Sequence, residues 1–71
     1  MPERPSAKHL RTADAHDAAG DEHDRLAAEW KGLGDLERAG LELQVALFHR
    51  QLALLERDRA ALEERRADSA E

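Results

Sequence analysis

The pentapeptide KGLGD, residues 31–35, places two glycines close together in a chain whose interior holds no other break of that strength. Glycine costs about 1 kcal/mol inside a helix and supplies the left-handed backbone on which a helix ends. On either side the chain is rich in Ala, Leu, Glu and Arg, which lose least on becoming helical. No run alternates as a strand would. The sequence therefore predicts two helices, one over about 7–31 and one over about 36–66, joined by a turn at 32–35 with Asp35 as N-cap of the second. Pro2 and Pro5 mark residues 1–6 as a flexible arm, with Ser6 a candidate helix cap, and residues 67–71 read as a charged tail.

So short a connection makes the helices antiparallel neighbours in one all-α helical hairpin, residues 7–66. With 71 residues and no cysteine, the chain cannot staple itself with disulfides. Chains below about 70–80 residues seldom build an adequate core alone, which leaves a second subunit, a metal, or both. The second helix carries more apolar surface than the first can cover. Leu36, Leu43, Leu47 and Leu54 form one row and Leu41, Val45, Phe48, Leu52, Leu55 and Leu62 another, on either side of Gln44, Gln51 and Asp58. Together the rows span roughly 200° of the helix circumference. The expected answer is a homodimeric four-helix bundle closed through Leu41, Val45, Phe48, Leu52 and Leu55.

A formal charge of −5 excludes a general affinity for nucleic acid or for an anionic membrane surface. Residues 1–8, MPERPSAK, fit neither a signal peptide nor a membrane anchor, so a cytoplasmic protein is expected.

His9, His16 and His23 fall seven apart, within about 40° of one another on the helical wheel. Folding the chain about residue 33 puts positions whose numbers sum to about 66 in one layer. Two sets on the second helix then face the histidines. One is Glu56, His49 and Glu42; the other is Asp58, Gln51 and Gln44. Both repeat by seven. The first set shares its sector with Arg38, Arg50 and Arg57 but also with Ala46, Ala53 and Ala60, a line suited to close packing.

Inward His and Glu from facing helices are how four-helix bundles hold iron, manganese, zinc or copper. The leading expectation is thus a small metal-binding protein with His16, His23 and His49 as foremost ligands, then His9, Glu42 and Glu56, and with redox or hydrolytic work as its possible use. Two histidines seven apart are separated by about 10 Å of rise, so one ion would draw on several helices. The Glu-x-x-His and His-Glu-x-x-His signatures are absent, and one Phe with one Trp makes too thin a wall for haem. The alternative is a metal-free dimerisation or adaptor module whose histidines are polar layers that set register.

Asp17, Asp21 and Asp24 read as a solvated edge rather than a cation site. No phosphate loop, nucleophile elbow or paired acid–base motif is present, and no catalytic residue is assigned. Trp30-Lys31-Gly32, at the turn of a helical hairpin, resembles the WxG family of small type VII secretion substrates, which pair as four-helix bundles. That resemblance implies Trp30 packed at the turn and a role in secretion or partner binding. The family's carboxy-terminal Tyr-x-x-x-Asp/Glu signal has no counterpart, because the chain has no Tyr. Without the resemblance, Trp30 is a staple of the helix end.

Overall fold

The computed structural model describes residues 3–69, so Met1 and Pro2 of the expected arm and Ala70 and Glu71 of the expected tail lie outside the described residues. Two helices account for nearly all of it: α1, Pro5–Gly32, and α2, Leu36–Ser69. They run antiparallel along their whole length, making a plank of 58 × 20 × 9 Å.

α1 starts on Pro5 at its first position, where the missing N–H costs nothing and the fixed φ is already helical. Arg4 is the N-cap residue and its side chain makes no capping bond. Ser6 therefore does not cap. It is buried inside the first turn and its hydroxyl hydrogen-bonds Glu64 across the hairpin. At the other end the Gly34 N–H donates to the Lys31 carbonyl at 3.0 Å and the Asp35 N–H to the Trp30 carbonyl at 2.9 Å. Gly34 has φ +82°, the left-handed conformation that this double closure requires. Asp35 Oδ1 then accepts the Arg38 N–H at 3.0 Å, which satisfies one of the free amides at the start of α2.

The helices meet on a seam of small residues. Ser6, Ala13, Gly20 and Ala27 of α1 are buried, and so are Ala39, Ala46, Ala53 and Ala60 of α2. Each series steps by seven. At Gly20 an added Cβ would lie 3.3 Å from the Ala46 carbonyl oxygen, so backbone approaches backbone there. No large side chain is fully buried among the described residues. The apolar rows of α2 lie outside the seam, with Leu36, Leu41, Leu43, Leu47, Phe48, Leu54 and Leu55 all exposed. Thr12 and Ala15 of α1 are exposed as well, because the seam takes a single residue per heptad from each helix.

Candidate functional site

Beside the alanine seam runs a ladder of imidazoles and carboxylates. Each rung joins one residue of α1 to one of α2, and the rungs repeat with the seam. His9 Nδ1 lies 2.6 Å from Glu56 Oε2, His16 Nδ1 lies 2.9 Å from His49 Nδ1, and His23 Nδ1 lies 2.6 Å from Glu42 Oε2. The register is therefore the one that faces the histidines with Glu56, His49 and Glu42. Gln44 and Gln51 are exposed and Asp58 points to solvent with them.

The choice follows from the seam. The alanines of α2 meet only small residues, Ser, Ala and Gly, on α1, so Ala46 and Ala53 turn toward α1, and His49, three residues beyond Ala46, falls beside the seam on the same flank as His16. The ladder side chains are half-buried: 31% and 12% exposed for His9 and Glu56, 29% and 25% for His23 and Glu42. The His23 and His49 rings stack with centroids 5.5 Å apart and planes 10° from parallel, and His16 tilts against His49 at 5.2 Å. Three imidazoles thus cluster at the middle of the hairpin, two stacked and the third tilted against them.

Electrostatics differ between the rungs. The Glu56 carboxyl is held below its ordinary range, first by its hydrogen bond with His9 and then by the nearby Arg59 guanidinium, against the opposing effect of burial. In the central rung both partners are the same group, so one Nδ1 must donate and the other accept. Trp30 continues the histidine row toward the turn, where the Arg38 guanidinium lies 4.6 Å above its ring and closes that end.

The opposite flank of the seam carries a different pairing. Arg50 reaches Asp21 at 3.0 Å and Asp24 at 2.6 Å; Arg57 reaches Asp14 at 3.5 Å and Asp17 at 2.5 Å. The acidic edge of α1 is therefore matched by arginines from α2, a pairing that the sequence reading missed. The signal was present: Arg50 and Arg57 repeat by seven against Asp24 and Asp17. Both arginine pKa values are raised, chiefly by the hydrogen bonds to Asp24 and Asp17.

Among the described residues no three His, Cys, Asp or Glu side chains converge on one point within the chain. Each rung offers two donors. Next to the ladder, Leu41, Gln44, Val45 and Phe48 line an open apolar groove, and the row continues through Leu52 and Leu55. No described helix is long and apolar enough to cross a membrane. Comparison with known proteins finds no matching family model, no similar curated protein and no similar solved structure.

Proposed function

We propose that the hairpin is a self-association module, and that two copies pair through the ladder side into a homodimeric four-helix bundle in which the histidines set register. The observation that carries this reading is the apolar border of the ladder. Leu41, Phe48 and Leu55 stand 57%, 61% and 45% exposed, with Val45 and Leu52 between them and the imidazoles. Fully burying a side chain of this kind contributes about 1.5–3 kcal/mol, so the four exposed ones, Leu41, Val45, Phe48 and Leu55, leave much of that stabilisation unrealised in a single chain.

The order of the rungs favours a second copy as occupant. From the open end to the turn they read His–Glu, His–His, His–Glu. A two-fold axis through the central rung sets His–Glu against His–Glu and the histidine pair against its equivalent. This holds whether the two turns lie at the same end or at opposite ends. No carboxylate then loses an imidazole neighbour, and unpaired charge is what makes a buried polar layer costly.

Each rung pairs Nδ1 of its histidine across the hairpin, so polar layers that specify register account for these contacts without a ligand. Sedimentation equilibrium tests the association. The expected mass is twice the 8.0 kDa of the chain, with a melting temperature that rises with protein concentration. Combining Phe48→Glu with Leu55→Glu should give monomers, while Leu54→Glu on the far edge of α2 should leave the dimer intact. A parent chain that stays at 8.0 kDa at high micromolar concentration and melts independently of concentration overturns the reading.

A further inference from the structure

We infer that pairing of two hairpins completes a transition-metal site at the centre of the ladder, formed by His16 and His49 of each copy around one divalent ion of the zinc or copper class. The inference rests on the self-association reading, because one chain supplies two of the four donors.

The geometry of the central rung carries it. Its two Nδ1 atoms are 2.9 Å apart. For metal–nitrogen bonds of about 2.0–2.1 Å, adjacent ligand nitrogens stand about 2.9 Å apart in a square and about 3.4 Å apart in a tetrahedron. The pair is therefore spaced as adjacent ligands of a square-planar copper ion are, and would open by about 0.5 Å for tetrahedral zinc, on rings already held by their neighbours. His49 is stacked on His23, and the backbones beneath are locked by Ala13, Gly20, Ala46 and Ala53.

The chemistry of the rung points the same way. In the flanking rungs imidazole and carboxylate complement each other, and an ion would have to displace a good hydrogen bond. In the central rung two acceptors of the same kind are bridged by one proton. A cation can take the place of that proton, which passes through solvent to Nε2 of the same ring, so that both imidazoles bind through Nδ1 as neutral ligands. Imidazole donors suit zinc, copper and nickel, while magnesium and calcium prefer oxygen. The second copy brings the same pair across the two-fold axis, and Val45 and Leu52 lie alongside to keep water out.

The test is dialysis of purified, metal-stripped protein against micromolar Zn2+ and, separately, Cu2+, with bound metal and molecular mass measured on the same sample. The expected result is one ion per two chains, with uptake weakened more than about 100-fold in His16→Ala and His49→Ala and retained in His9→Ala. His49→Gln, which keeps a polar group in the rung, should lose the ion while circular dichroism shows unchanged helicity. A mass that doubles only when the ion is present supports the site and refutes metal-free association. A dimer that takes up neither ion overturns the site and leaves self-association standing. Uptake that survives in the His16→Ala/His49→Ala double variant also overturns it, and a monomer under every condition overturns both.

Discussion

Ala13 and Ala53 are fully enclosed between the helices, and a side chain longer than a methyl at either position has no free volume to enter. Relief would require the two backbones to move apart, which would also open the contact at Gly20 and lengthen the bonds of the neighbouring rungs. Ala53→Leu should therefore destabilise by about 1–3 kcal/mol or more, although it adds apolar surface. Ala61→Leu, on an exposed face, should stay within about 0.5 kcal/mol in the same thermal melts. A second residue-scale expectation concerns Glu56. Its pKa is lower in the folded chain than its ordinary value of 4.5, so its pairing stabilises the fold above that value and the contribution is lost as pH falls through the folded pKa. Glu56→Gln should lower the melting temperature at pH 7, and the gap from the parent should close as pH drops below about 4.5. A gap that stays constant down to pH 3 would show that the carboxylate charge contributes nothing.

At the scale of the elements, the turn depends on one of its two glycines. Gly34 occupies left-handed backbone at φ +82°, and Gly32 is a helical residue with open space around it. Gly34→Ala should cost about 1–2 kcal/mol, whereas Gly32→Ala should gain about 0.5–1 kcal/mol from helix propensity. Opposite signs two residues apart, read by thermal denaturation, would confirm the closure. The two helices and their antiparallel order were legible in KGLGD and in the residues around it. The faces that meet were harder to read, because hydrophobicity points to the leucine rows of α2 while the contact is made by its alanines. Alanine lowers the distance of approach more than it raises burial, and a wheel weighted by hydrophobicity does not register that. The same blindness left two registers open, since Glu42, His49 and Glu56 repeat by seven just as Gln44, Gln51 and Asp58 do. Only the line Ala46, Ala53, Ala60 distinguishes them. The acidic edge of Asp17, Asp21 and Asp24 read as solvated for a related reason: long side chains such as Arg50 and Arg57 cross to a neighbouring helix from positions that a wheel places outside the interface.

As a whole molecule the hairpin is extended rather than rounded. Its radius of gyration is 16.5 Å, against about 11 Å for a compact chain of this length. One layer of side chains between two long helices gives that shape, and it is the reason that the large apolar residues have nowhere to go within a single chain. It also means that no side chain at one end of the plank reaches the other. Seam, ladder and arginine clasps all repeat every seven residues, and a heptad advances the helix by about 10 Å while returning each row to its place. Length is then an adjustable property of this architecture, as it is for a measuring rod cut from patterned stock. Duplicating residues 13–19 together with 47–53 should give a folded hairpin about 10 Å longer by small-angle scattering. Duplicating either segment alone should leave an overhang of the same size, with the rungs beyond it out of step. A chain built this way can be matched to a span without being redesigned at its ends.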